Sequence, residues 1–252
     1  IFKKWAQPFN NELRKINGIF VSDDNTFELL RKHGFKNITP SVDTRMESIM
    51  NRKSLEIIDS KIEGFVNKRP TMIFGSTYPI EHQVIPGLIN DELAKYHVLI
   101  FPHNIDLKEI RHLKSSLNGE AILYSEFSDS TANNRERILI VDQIGLLKDA
   151  YRFARLAYIG GGFKGGIHNT LEPFVYKMPL IFGPKYDKFP EAKLLVKHQL
   201  AIVVENVEEI GNAITKLTEK EIGSEIDDVY TSLFNPSISV SSNIVKKVKE
   251  AL

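Results

Sequence analysis

Residues 159–173 read Ile159-Gly160-Gly161-Gly162-Phe163-Lys164-Gly165-Gly166-Ile167-His168-Asn169-Thr170-Leu171-Glu172-Pro173. Five of the chain's 15 glycines fall within positions 160–166, after the apolar run 156–159 and before a segment that reads as a helix start. A strand, a glycine-rich turn and a helix N-terminus together direct backbone N–H groups at one spot, where an anion, above all a phosphate, would be held. Glycine suits such a turn because its backbone can approach a ligand closely and adopt conformations closed to other residues. The competing reading is a turn in which helix and strand simply pack closely. The spacing does not fit GxxxxGK[ST], which excludes a P-loop. GxGxxG can be laid on Gly160, Gly162 and Gly165, but no acidic residue about 20 positions on ends a second strand. That argues against a nicotinamide cofactor, and no cofactor is expected.

Glu172 is the second group with chemistry to offer. With Asn169 as N-cap, Glu172 would complete a capping box, but Pro173 would then sit at N4 and delete the first helical hydrogen bond. With Thr170 as N-cap, Pro173 becomes N3 and loses nothing. Glu172 then falls at N2, free to accept hydrogen bonds from vicinal hydroxyls such as those of a ribose; the alternative is a surface acid that complements the helix dipole. His168 and His103 could be metal ligands, general bases or donors to a phosphate, although a single histidine is more often a structural hydrogen bonder. The chain holds no HExxH, no DxD and no Cys/His cluster, so no metal site is expected. Lys164 and Lys185 could neutralise an anion or be ordinary surface lysines. Arg45 reads as a partner of Asp43 or Glu47 on a helix face.

These residues need a scaffold, and the rhythm of the sequence supplies one. Short apolar strands are predicted at 71–74, 97–101, 121–124, 138–141, 156–159, 180–182 and 201–204. Helix-length segments at 81–95, 107–117, 145–153, 170–176, 189–198 and 207–217 separate most of them or follow the last. Such alternation means an α/β protein with a Rossmann-like doubly wound parallel sheet covered on both faces. The polar stretch 128–134 reads as a mobile surface loop. Upstream, helices are predicted at 9–17 and 23–33, the latter capped by Ser22 or Asp23 and stopped by Gly34. Short strands at 18–21 and 37–42 lie beside them, followed by a long, charged helical connector, 43–65. A doubly wound sheet places its ligand beyond the carboxyl ends of its strands. That rule selects 75–77, 102–103, 142–145, 160–172 and 183–185.

Composition narrows the class further. The 252 residues are 42% hydrophobic, and 33 Lys+Arg against 32 Asp+Glu leave a formal charge of +1, so no global field points to nucleic acid. Cysteine is absent, which excludes disulfide and thiolate chemistry and fits a reducing compartment. No apolar stretch of roughly 18 residues exists, so nothing reads as a membrane-spanning helix. The chain opens on Ile1-Phe2-Lys3-Lys4-Trp5 without a methionine, which suggests part of a longer protein.

Taken in order, these residues resemble the C-terminal half of the 3-deoxy-D-manno-octulosonic acid (Kdo) transferases, GT-B glycosyltransferases of lipopolysaccharide synthesis. The resemblance rests on Gly160-Gly161-Gly162-Phe163, His168-Asn169-Thr170-Leu171-Glu172, Pro179-Leu180-Ile181-Phe182-Gly183-Pro184 and Phe189-Pro190-Glu191-Ala192. Further matches are Phe20-Val21-Ser22-Asp23, Val42-Asp43-Thr44-Arg45, Gly75-Ser76-Thr77, Pro102-His103 and Val141-Asp142-Gln143-Ile144-Gly145-Leu146-Leu147. It departs from the family at Val42, where glycine is usual, and after His103, where Asn104-Ile105-Asp106 stands in place of an additional arginine.

The resemblance implies an inverting transfer of Kdo from CMP-Kdo to a lipid A precursor. It assigns the CMP moiety to Pro102, His103, Ile144, Gly145, Leu146, Asn169, Thr170, Leu171 and Glu172. Ser76, Gly161 and Gly162 would lie near the phosphate, with Lys185 a candidate for its charge. It also implies three segments: 1–42 as the tail of an acceptor-binding domain, 43–70 as a connector and 71–252 as the CMP-Kdo domain. No catalytic residue is then expected within the chain, the general base lying upstream, and the fragment alone should be soluble and inactive. Membrane contact, at the cytoplasmic face of the bacterial inner membrane, would belong to the full-length protein. The rival readings are another GT-B transferase, a UDP-sugar epimerase and a nucleotide-binding module without chemistry.

Overall fold

The computed structural model describes residues 2–41, 43–67, 69–89, 91–128, 136–219, 223–234 and 240–251. Its contacts group the chain into two units, 1–51 with 234–252, and 52–233. In the smaller unit β1 (Ile19–Val21) and β2 (Ile38–Pro40) pair in parallel, with Ile19 opposite Ile38. Between them runs the helix Asp24–Lys32, whose N-cap Asp23 accepts a hydrogen bond from the Thr26 amide at 2.8 Å. Gly34, at φ 76°, closes its other end, the left-handed position that glycine fills without strain. Val21, Leu30 and Phe35 form a small core. The helix Val240–Ala251 is fastened to this unit: the amide and hydroxyl of Ser241 donate to Glu47 at 2.9 and 2.8 Å, and Lys247 Nζ donates to Thr39 Oγ1 at 3.1 Å.

The larger unit is a seven-stranded sheet of β3 (Thr71–Thr77), β4 (His97–Pro102), β5 (Ala121–Leu123), β6 (Ile138–Ile140), β7 (Ala154–Ile159), β8 (Leu180–Phe182) and β9 (Ala201–Val203). All pairs are parallel, in the order β5-β6-β4-β3-β7-β8-β9. Every residue of β4, β5, β6 and β8 is buried, as strands covered on both faces must be. On one face Met72, Phe74, Val98, Ile100, Tyr158 and Ile181 pack with Ile85, Ile89, Ile110, Leu113 and Ile214.

All seven predicted strands of this sheet are present, but several helices differ from expectation. The connector is two helices, Thr44–Ser54 and Ser60–Val66, rather than one. Asp59 interrupts it: its carboxylate accepts from the Ile62 amide at 2.9 Å, a cap that starts a second helix, and Glu56 turns the chain at φ 47°. The predicted helix 81–95 is two four-residue helices, Pro79–His82 and Ile85–Leu88, because Pro86 has no amide for a continuous ladder. Helices Glu225–Leu233 and Val240–Ala251 follow the last predicted element. The grouping of contacts also differs from the expected division, placing 43–51 and 234–252 with the first unit. Val42 and positions 129–134 of the predicted loop lie outside the described residues.

Candidate functional site

From the sheet's middle the chain leaves β3 toward β4 on one side and β7 toward β8 on the other. The crevice beyond the carboxyl ends of β3 and β7 is therefore the topological switch point. The exit of β3 is irregular. Its register against β4 shifts between Gly75 and Thr77, and Ser76 between them sits at φ 55°. A non-glycine residue in that region stores strain, which the surrounding packing must hold. Beneath it lies the hydroxyl of the wholly buried Tyr151, where a side chain at Gly75 would have to stand.

Three rings from three rim segments meet over this crevice. His103 and His168 lie tilted at 31° with centroids 4.5 Å apart, and Tyr78 and His103 stack at 4.7 Å and 29°. Tyr78 Oη lies 3.3 Å from His168 Nε2, and Lys164 Nζ sits 4.7 Å from the centre of the Tyr78 ring. His103 is held by its amide, which donates to Thr77 O at 2.8 Å, and His168 by its own, which donates to Gly160 O at 3.1 Å. Burial, reinforced by the neighbouring His103, holds the His168 imidazole below its ordinary pKa.

Under the rings lies Glu81, wholly buried. Its carboxylate accepts from the Tyr78 amide at 2.7 Å, the Tyr158 hydroxyl at 3.2 Å and the Gly161 amide at 3.3 Å. Burial pushes its pKa up, and the hydrogen bonds from Tyr78, Gly161 and Tyr158 oppose that rise. It thereby ties the exit of β3 to the glycine turn.

That bond corrects one expectation. The Gly161 amide meets the protein's own carboxylate, not a ligand. The amides of Gly160, Lys164, Gly166, Ile167 and His168 donate to the carbonyls of Gly75, Gly161, Gly161, Lys185 and Gly160. The glycines serve close approach instead. A Cβ on Gly160 would overlap the Ser76 carbonyl, and one on Gly162 would lie 2.6 Å from the Gly183 backbone. Lys185 is corrected likewise: its ammonium donates to the carbonyls of Lys164 at 2.7 Å and Phe163 at 3.4 Å, bracing the turn. Arg45 has the mundane role, its Nε donating to Asp43 Oδ2 at 2.8 Å.

Glu172 is placed differently. Thr170 is the N-cap of the helix Leu171–Phe174, so Pro173 stands at N3, where its missing amide costs nothing. The Leu171 amide donates to the Asn169 side chain at 3.0 Å, leaving the Glu172 carboxylate outside the cap. Its side chain is 18% exposed and its nearest ion-pair partner, Lys148 Nζ, is 3.9 Å away. Burial pushes its pKa up. Lys148, a hydrogen bond from Asn169 and Arg52 pull it back, and Asp149 adds to the rise. Arg52 itself clasps Asp149 in a two-pronged pair, at 2.9 and 2.6 Å.

Beside this carboxylate in sequence order, the loop after β6 precedes Lys148. Ile144 there is 83% exposed, and Gly145 turns at φ 95°. An aliphatic side chain held out in water beside polar groups suits the face of a base. Leu146 is half-buried and starts the helix Leu147–Ala150. Pro102 is buried in β4, whereas Leu171 and Thr170 are wholly buried, so those two side chains belong to the core and could meet a ligand only through their backbone. Thr170 Oγ1 has no hydrogen-bond partner among the described residues. Among the described residues no group of three or more His, Cys, Asp or Glu could hold a metal ion.

Tyr78, Glu81, Lys148 and Arg52 escaped the sequence reading. Glu81 had a signal, a glutamate at N3 after Tyr78-Pro79, the pattern of a capping box. Arg52 had none, since Asp149 is 97 positions away.

No protein-family model matches the chain. It is 29% identical over 252 residues to a bifunctional glycosyltransferase/methyltransferase of Fusobacterium nucleatum, covering 98% of this chain and 39% of that protein. It is 25% identical over 224 residues to the 3-deoxy-D-manno-octulosonic acid transferase of Rickettsia prowazekii, covering 86% of this chain and 44% of that protein. The chain thus spans less than half the length of these curated relatives. Among solved structures, the C-terminal CMP-Kdo binding domain of WaaA from Acinetobacter baumannii aligns with a TM-score of 0.56 at 17% identity, covering 75% of this chain and 97% of that one. The chain is thus similar in sequence to 3-deoxy-D-manno-octulosonic acid (Kdo) transferases, and it shares the fold of the C-terminal CMP-Kdo binding domain of WaaA.

Proposed function

We propose that this chain is the donor-binding part of an enzyme that moves Kdo from CMP-Kdo to a lipid A precursor. The observation that carries the reading is Glu172, a half-buried carboxylate whose pKa is raised by burial and which the helix cap leaves unused. Two ribose hydroxyls would donate to it and favour its charged form. Ile144 and the Gly145 turn would lie against the base, and the crevice beyond β3 would receive the phosphate near Ser76 and His103. Relatives named as Kdo transferases, and a solved neighbour that is a CMP-Kdo binding domain, support the choice of donor.

In the complete enzyme a carboxylate outside these residues would take the proton of the attacking hydroxyl. The departing CMP gains charge on its phosphate, and preorganised donors at the crevice would stabilise that charge more in the transition state than before it. Because CMP carries a single phosphate, histidine and lysine suffice and no metal is required; transfer by the complete enzyme should survive thorough chelation. The acceptor, the general base and contact with the inner membrane's cytoplasmic face belong to residues outside this chain. Among the described residues no helix is long and apolar enough to cross a membrane.

Calorimetry with CMP, UMP and UDP tests the donor. CMP should bind most tightly, and a preference for uracil would overturn the assignment.

A further inference from the structure

We propose that Tyr78, His103 and His168 form an oxyanion site that fills together with a proton, with the His168 imidazole becoming the charged donor to an acidic group of the nucleotide donor. The inference rests on the nucleotide reading above and assigns to three side chains a task that the backbone turn does not perform.

The three rings come from the segments after β3, after β4 and after the glycine turn, so their stack exists only where those strands end side by side. His103 is exposed, while His168 and Tyr78 are half-buried. Two imidazoles 4.5 Å apart cannot both be charged cheaply in a half-buried site. In the empty site, burial and the neighbouring His103 both disfavour the charged form of the His168 imidazole.

The groups around the stack offer more donors than acceptors. Lys164 lies over the Tyr78 ring, and Lys185 braces the Lys164 carbonyl at 2.7 Å. The carboxylate beneath, Glu81, is engaged by two amides and a hydroxyl. His82, whose Nε2 meets Thr77 Oγ1 at 2.8 Å, has its pKa brought down to about 4 by burial and does not charge near neutrality.

An anion against the imidazoles supplies the missing acceptor and favours the protonated form. The sign follows by linkage. The bound pKa exceeds the free one, so binding takes up a proton between the two values, and affinity rises as pH falls through that window. The acidic group could be the phosphate of CMP or the carboxylate of the sugar acid; both are oxyanions, and separate ligands distinguish them.

The test is calorimetry of the 252-residue chain with CMP, cytidine and free Kdo, across pH and in buffers of different ionisation enthalpy. For a phosphate at the site, CMP should bind with proton uptake and gain up to about tenfold in affinity per pH unit on acidification. His168→Gln should bind CMP on the order of tenfold more weakly, lose that part of the proton uptake and keep its affinity for cytidine. The titration of the CMP phosphate itself is common to both proteins and cancels in the comparison. For a carboxylate at the site, free Kdo shows the same pattern and CMP does not.

Should His168→Gln misfold, the imidazole resonances of the unaltered chain give the same answer, since one should titrate at higher pH with the anion bound and none with cytidine. A His168→Gln profile identical to the parent with both CMP and Kdo overturns the inference. So does equal binding of CMP and cytidine together with free Kdo that binds without proton uptake, which leaves the nucleotide reading intact. If no nucleotide binds, both fall together.

Discussion

The glycine turn at 160–166 and the segment around Glu172 follow one another in the chain, yet they use their polar groups in opposite ways. In the turn, the amides of Gly160, Lys164, Gly166, Ile167 and His168 donate to the protein's own carbonyls, Gly161 to a buried carboxylate, and the Lys185 ammonium to two carbonyls of the turn. At Glu172 the carboxylate is held by a 3.9 Å ion pair and a side-chain amide, and its charge is disfavoured by burial. A group satisfied by its own fold has nothing to offer a ligand, whereas a group left costly by the fold gains when one arrives. Glycine density therefore reports how closely two strands' ends approach, and the under-served carboxylate marks the group that would gain from a ligand.

The largest test of that contrast is Gly160→Ala. A methyl there meets the Ser76 carbonyl, with backbone on both sides and no flexible end to yield. Denaturant unfolding should show a loss of about 3 kcal/mol, the upper part of the overpacking range. A loss near zero would mean that the approach is not what requires glycine.

Next comes Glu172→Gln, which should weaken CMP binding by about 1.5–3 kcal/mol in calorimetry, the value of a hydrogen bond to a charged acceptor. Its thermal midpoint should hold or rise. Because the folded pKa of Glu172 lies above its unfolded value, its favourable contribution is present below about pH 4.3 and is lost as pH rises through the folded value. The midpoint of the glutamine variant should accordingly gain on the parent between acid and neutral pH; the reverse trend would mean that the folded protein welcomes the charge.

A smaller effect is expected from Lys185→Met. Losing the ammonium's bonds to two carbonyls should cost about 1 kcal/mol of stability and leave CMP affinity unchanged. An affinity loss as large as that of Glu172→Gln would show that the lysine swings to the ligand. Smallest of all is Gly165→Ala, whose new methyl meets nothing within 4 Å. Its stability should stay within about 0.5 kcal/mol of the parent, which would separate one glycine of the cluster from its neighbours.

The sheet was legible because its strands are short apolar runs, and apolar runs between helix signals survive almost any tertiary context. Glu172 was legible for a local reason too: Pro173 forbids one helix register and leaves the other. What could not be read depends on partners far away in the chain. The breaking of the connector at Asp59 involves Tyr124, whose hydroxyl donates to Asp59 at 2.8 Å and has its pKa pushed up to about 12 by burial and that carboxylate. The occupied amide of Gly161 depends on Glu81, 80 positions earlier. The helix Val240–Ala251 shows an amphipathic pattern, but only its bonds to Glu47 and Thr39 say which unit it serves.

That last attachment has a practical consequence for anyone wishing to excise the larger unit. The polypeptide starts in the small unit, passes through the large one and returns, so a cut at residue 70 alone would carry an orphaned helix along. Its apolar stripe would have lost its seat and would invite self-association. A clean excision trims both ends, near residues 52 and 233. Conversely, deleting the last helix should wound the small unit while sparing the large one.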